Sequence, residues 1–205
     1  NAPYKLDVEK PLTLGPLVDP EYYMEARYAL NETHREAMVL IPKITEEFAK
    51  IFGRTHNGLI EGYQIKDAEK VIVAMGSTCG TIREVIDEMR SKGKKVGLLK
   101  ITALRPFPAQ QIYEALKSTV KVAVVDRALS LGSFAPLASE IKAAFFGKTK
   151  KPKTISSFIV GLGGRDITKD SIREIFRLMG SAKEYQGEFI DLKPEYLKES
   201  YEDPV

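Results

Sequence analysis

The chain has no tryptophan, a single cysteine and two histidines, and neither sign of charge dominates it. With Cys79 alone, an internal disulfide is excluded, and so is a thiolate metal site or iron–sulfur cluster assembled by this chain by itself. His34 and His56 have no Cys, His or carboxylate near them at ligand spacing, so both read as surface or packing residues. No Ser-His-Asp order, no paired catalytic carboxylates and no HExxH segment is present. Cys79 lacks a neighbouring base and reads as a small hydrophobic filler. No catalytic residue and no metal ligand is therefore assigned. Apolar runs fall far short of the ~20 residues a membrane span requires. The N-terminus lacks the charged-then-apolar layout of a signal peptide, and the expectation is a soluble, cytoplasmic protein. Lys and Arg number 31 against 28 Asp and Glu, a net charge of +3. No basic face with interleaved aromatics stands out, which argues against nucleic acid as a partner. The one basic run, Lys148 to Lys153, reads as a solvated loop. The first residue is Asn1 and not methionine, the pattern of a fragment or a processed piece.

What is present suits a globular fold: 43% of the 205 residues are hydrophobic and 29% charged, enough for a core. The length fits one domain plus appendages. Residues 1–68 read as a connector followed by a helical extension. Pro3, Pro11, Pro16 and Pro20 mark the connector. From Pro20 to Phe52 the pattern is helical, with Ile41, Ile44, Phe48 and Ile51 in phase and Gly53 ending it. Pro42 predicts a kink or two helices meeting. Gly53, Asn57, Gly58 and Gly62 read as a loop.

Residues 69–180 alternate strand and helix. Val71–Met75 is a short, fully apolar run of the kind buried on both faces, and Val96–Ile101, Val122–Val125 and about Ile155–Val160 read as the second, third and fourth strands. Between and after them come amphipathic stretches: Ile82, Val85, Ile86 and Met89; a segment through Leu116; Leu137, Ile141, Ala144 and Phe145; and Ile172, Ile175, Phe176 and Met179. The pattern predicts a doubly wound, mostly parallel α/β sheet with helices on both sides. Residues 181–205, acidic and tyrosine-bearing, read as a C-terminal arm.

Three loops follow strands, where open α/β sheets bind ligands. Gly76-Ser77-Thr78-Cys79-Gly80 opens a helix whose free amides can hold an anion, or whose first residues Ser77 and Thr78 simply cap it. No P-loop lysine follows. Gly161-Leu162-Gly163-Gly164-Arg165-Asp166 has Asp166 where a dinucleotide fingerprint needs glycine, and reads as a tight turn aiming Arg165, with Thr168 as the next helix's N-cap. In Arg105-Pro106-Phe107-Pro108 the prolines stiffen the chain around Arg105, which can pair with a phosphate or carboxylate or anchor a neighbouring domain. The candidate cofactor-binding residues are accordingly Gly76, Ser77, Thr78, Gly80, Arg105, Gly161, Gly163, Gly164 and Arg165.

The segments Val71–Ser77, Gly80-Thr81-Ile82, Gly93–Ile101 and Leu104–Pro108 resemble the transketolase C-terminal-like domain. More narrowly, they resemble the second domain of the alpha chain of 2-oxoacid:ferredoxin oxidoreductases, above all the pyruvate:ferredoxin oxidoreductase (pyruvate synthase) family. Asp19–Tyr28 is similar to the segment joining that family's first and second domains, and Gly161–Thr168 to the second domain's closing turn. The resemblance implies oxidation of pyruvate with coenzyme A to acetyl-CoA, carbon dioxide and reduced ferredoxin, with the reverse also possible. It implies thiamine diphosphate and iron–sulfur clusters in the whole enzyme. The implied partners are the beta, gamma and delta subunits and ferredoxin. In that family the alpha chain's first domain and the beta subunit build the thiamine site. This sequence has neither that first domain, nor a G-D-G thiamine motif, nor cluster cysteines. What carries over is a structural and assembly role, with no cofactor bound by this piece alone and homodimerisation of the isolated piece possible. Two other readings stand beside it: a coenzyme A or nucleotide-phosphate module using the Gly76 and Gly161 loops, or the same domain in a transketolase or 2-oxoacid dehydrogenase component.

Overall fold

In the computed structural model, residues 4–12, 15, 17–56 and 58–197 are described. Pro3, Pro16, Asn57 and the far end of the arm, 198–205, lie outside the described residues. Six strands form one sheet: β1 (Ile60–Tyr63), β2 (Lys70–Met75), β3 (Val96–Ile101), β4 (Lys121–Asp126), β5 (Thr154–Ile159) and β6 (Gln186–Phe189). Their spatial order is β1-β3-β2-β4-β5-β6. Only β1 runs antiparallel to its neighbour, with Ile60 opposite Ile101; the other pairings are parallel.

The four central strands are mostly apolar because both faces are covered, with polar residues at their ends and at Lys100, Ser156 and Ser157. Residues of alternate parity feed two cores. On one face Ile72, Leu98, Ala123 and Phe158 meet α2 (Thr78–Arg90) and α5 (Lys169–Leu178) through Ile82, Val85, Ile86, Ile172 and Ile175. On the other, Val71, Val73, Leu99 and Val124 meet α3 (Ala109–Leu116) and α4 (Pro136–Ala144) through Ile112, Leu116, Leu137 and Ile141. Alternation of helices across a parallel sheet is the doubly wound arrangement expected from the sequence. Cys79 lies in the first core, 3% exposed, and burial raises its thiol pKa, with Lys100 and Arg83 opposing the shift. It is a packing residue.

Three local readings change. Residues 60–63, taken as loop, form edge strand β1. The arm after Ser181 begins inside the fold: β6 pairs with β5, Tyr185 packs on Phe158 at 5.5 Å between ring centroids, and Ile190 is 7% exposed. Pro42 lies inside one helix, α1 (Pro20–Phe52), so of the two expectations there, a kink or two helices meeting, the second falls. That helix has no fully buried residue. Ala37, Ile41, Thr45, Phe48 and Ala49 are half-buried, whereas Tyr22, Tyr23, Met24, Tyr28, Ile44 and Ile51 are exposed.

Candidate functional site

The connection after β2 winds toward β3 and the one after β4 toward β5, so the strand order reverses between β2 and β4. Outside the carboxyl ends of this pair a doubly wound sheet opens a crevice. Here it has a volume of about 440 Å³ and is lined by Gly76, Ser77, Thr78, Asp126, Arg127 and Leu137, among others. Gly76 turns the chain at φ 68°, a left-handed conformation that suits glycine. Ser77 takes helical angles and its hydroxyl makes no capping bond, which corrects the expectation that a side chain there caps α2. The floor of the crevice is Asp126, 6% exposed. Its two carboxylate oxygens accept the amides of Leu137 and Ala138, each at 3.1 Å. These amides are the second and third of α4, whose own N-cap position holds Ala135 and offers no side-chain acceptor. Asp126 thus caps α4 from the end of a neighbouring strand. Burial raises its pKa, and the two amides pull the other way without overcoming it. One of the two helix starts at the crevice is therefore already satisfied by a carboxylate. The groups left facing the opening are the first turn of α2 and Arg127.

The other candidates lie elsewhere. Gly80 sits in the first turns of α2. Gly161, Gly163 and Gly164 make a 3₁₀ turn after β5, all with positive φ, and a Cβ on Gly161 would come within 2.8 Å of Ile167. Arg165 leaves this turn and donates to the carbonyl of Asp191, tying down the segment after β6. Thr168 caps α5 in a reciprocal capping box with Ser171. Arg105 donates to its neighbour Leu104's carbonyl at 2.8 Å and pairs with Glu140 of α4. The crevice lining does not include the Gly161 turn or Arg105, so the nine candidates do not converge on one site.

The donor set does not fit an iron–sulfur cluster. An iron–sulfur cluster needs several thiolates, and Cys79 is single and buried. No group of three or more His, Cys, Asp or Glu able to hold a metal occurs among the described residues. Among those residues, too, no helix is long and apolar enough to cross a membrane.

The sequence reading passed over Asp126 and Arg127 as a strand end. The signal available was a charged pair closing an otherwise apolar strand, at the turn before a helix that starts Ala135-Pro136 with no cap of its own.

A family model described as pyruvate:ferredoxin oxidoreductase core domain II matches residues 68–172. Pyruvate synthase subunit PorA of Methanothermobacter thermautotrophicus is 46% identical over 172 residues, 84% of this chain and 43% of the relative. The PorA subunit of Methanocaldococcus jannaschii is 44% identical over 92% of this chain and 48% of its own length. Ketoisovalerate oxidoreductase subunit VorA of Pyrococcus horikoshii is 38% identical over 82% of this chain and 43% of its own. The chain thus spans about half the length of the curated relatives it matches.

Proposed function

The chain belongs to the pyruvate:ferredoxin oxidoreductase core domain II family, and on that premise we propose that it is a structural and assembly domain of a 2-oxoacid:ferredoxin oxidoreductase. In the whole enzyme, thiamine diphosphate and iron–sulfur clusters carry the chemistry, and the product is acetyl-CoA or its homologue with carbon dioxide. This domain supports the parts that bind them. The observation that carries the reading is the 46% identity to a pyruvate synthase subunit along most of this chain, joined to a crevice whose carboxylate is committed to a helix cap.

Pyruvate is the preferred substrate on this reading, because the relatives at 43–46% identity are pyruvate synthase subunits, although pyruvate synthase and ketoisovalerate oxidoreductase subunits both occur at 38%. The partners are the remaining parts of the enzyme, its beta, gamma and delta subunits and ferredoxin, in the cytoplasm. Residues up to 59 serve as connector and helical extension, and 60–63 join the sheet as β1. Residues from 181 form an arm whose first strand docks on β5. The exposed aromatics Tyr22, Tyr23 and Tyr28 of α1 suit a surface covered in the assembly, because side chains that bury large area dominate interface energetics.

Calorimetry on the 205-residue chain tests the division of labour. Neither coenzyme A nor thiamine diphosphate is expected to bind tightly. Micromolar binding of either that Arg165→Ala abolishes would overturn the assembly reading in favour of a cofactor module.

A further inference from the structure

Between one face of α1 and the turn at Arg105–Phe107 lies a cleft of about 290 Å³. The helix contributes Arg27, Leu30, Asn31, His34, Arg35 and Met38. These fall at spacings of three and four and so share one stripe. Three arginines and a histidine thus face one small space, and no carboxylate lines it.

The cations are only partly neutralised from outside. Arg35 reaches Glu32 at 2.8 Å, one turn along the same helix. Arg105 spends one nitrogen on the carbonyl of Leu104 and another on Glu140. Arg27 has no hydrogen bond or ion pair among the described residues. The ring of His34 faces the Leu30 carbonyl through Nδ1 at 2.9 Å. A carbonyl only accepts, so Nδ1 carries the proton and Nε2 is left without that bond. Guanidinium groups have five donors and no acceptor, so they cannot satisfy one another. Leu30, Met38 and Phe107 supply apolar surface beside these exposed cations.

We propose that this cleft binds the phosphate group of a small molecule. One arginine fork satisfies the two oxygens of a carboxylate; several forks around a single space suit a phosphate, with more oxygens and up to two charges. The volume lies at the lower edge of the roughly 300–1,000 Å³ of small-molecule pockets, room for a phosphate and a short appendage. Free phosphate and a phosphomonoester offer the same contacting chemistry. The site is separate from the strand-end crevice, and the inference does not depend on the function proposed above.

The test is a titration of the 205-residue chain with inorganic phosphate, and in parallel with glycerol phosphate, at constant ionic strength. Arginine side-chain Nε–H signals are followed by ¹H–¹⁵N NMR. The expected result is saturable shifts at Arg27 and Arg105 with a dissociation constant on the order of 1 mM. Arg27→Gln and Arg105→Gln should each weaken binding about fivefold or more, with Arg27→Lys between, because lysine keeps the charge and loses the fork. Arg177→Gln, a distant surface change, should leave it unaltered. Tighter binding of glycerol phosphate would assign the site to phosphomonoesters, and equal binding to phosphate itself. No saturable shift, or equal affinity in the wild type and Arg27→Gln, would overturn the proposal. Arg27 lies exposed on α1, so this variant stays interpretable even where Arg105→Gln disturbs the turn.

Discussion

Replacing Asp126 by alanine removes the side-chain acceptor that caps the start of α4. Both amides it serves are buried, those of Leu137 and Ala138 at 3.1 Å. A buried donor left unpaired costs about 1–3 kcal/mol, whereas losing an ordinary exposed N-cap costs about 0.5–2 kcal/mol. Two stranded donors would cost about 2–6 kcal/mol together, and water entering from the crevice brings Asp126→Ala toward the lower part of that range, about 2–4 kcal/mol. Asp126→Asn keeps the shape but opposes one amide with its own NH₂ group, so roughly half that loss is expected. The pH dependence separates charge from geometry. Burial raises the Asp126 pKa in the folded protein above its usual value, so the folded state holds this proton more tightly than the unfolded chain. The associated stability is fully present below the unfolded pKa and is lost as pH rises through the folded one. Asparagine has no such step. The advantage of wild type over Asp126→Asn should therefore shrink as pH rises from the acid side. Urea unfolding at fixed temperature, followed by circular dichroism across pH, measures both quantities. A loss below about 0.5 kcal/mol for Asp126→Ala, the size of an ordinary surface change, would refute the capping role. An advantage over asparagine that does not change with pH would refute the electrostatic part.

Two further outcomes follow from packing and from a second carboxylate. Gly97, inside β3, has no room for a side chain, because a Cβ there would lie 2.7 Å from the Gln64 carbonyl and 3.1 Å from Ala68 Cβ. Gly97→Ala should lower stability by about 1–3 kcal/mol, and an unchanged urea midpoint would rule the close approach out. Glu184 is opposed by burial but held ionised by Lys142, the Ile155 amide and Gln186, so its pKa lies below the usual 4.5. Its contribution is present above that value and lost as pH falls through the lower folded pKa. Glu184→Gln should thus flatten the acid limb of the stability curve, a change absent if the Lys142 contact does not persist in solution.

How much could be read in advance depended on whether a residue's partner was local. β2, β3, β4 and β5 announce themselves because central parallel strands are apolar on both faces. β1, with the sequence Ile60-Glu61-Gly62-Tyr63, and β6, with Gln186-Gly187-Glu188-Phe189, are four-residue edges with one open side, and each carries a glycine and a charge. Nothing in their composition separates them from loops. The Thr168 cap was legible because its partner, Ser171, lies three residues on. The Asp126 cap was not, because its amides lie 11 and 12 residues away in another element. The glycines of the Gly76 and Gly161 loops were readable as turns, but whether two loops share a crevice depends on strand order. The cleft joining Arg27 to Arg105 brings together residues from two elements far apart in sequence, and only tertiary packing pairs them.

The central claim, that this chain supports an enzyme whose chemistry lies on its partners, is tested most directly by reconstitution. The chain is purified alone and then combined with the remaining alpha-chain portion and the other subunits of a pyruvate:ferredoxin oxidoreductase. Pyruvate- and coenzyme A-dependent reduction of ferredoxin is measured in each case. The account predicts no turnover by the chain alone, stable incorporation into the complex, and activity that requires its presence. Turnover by the chain alone, or full activity of a complex from which it is missing, would contradict it.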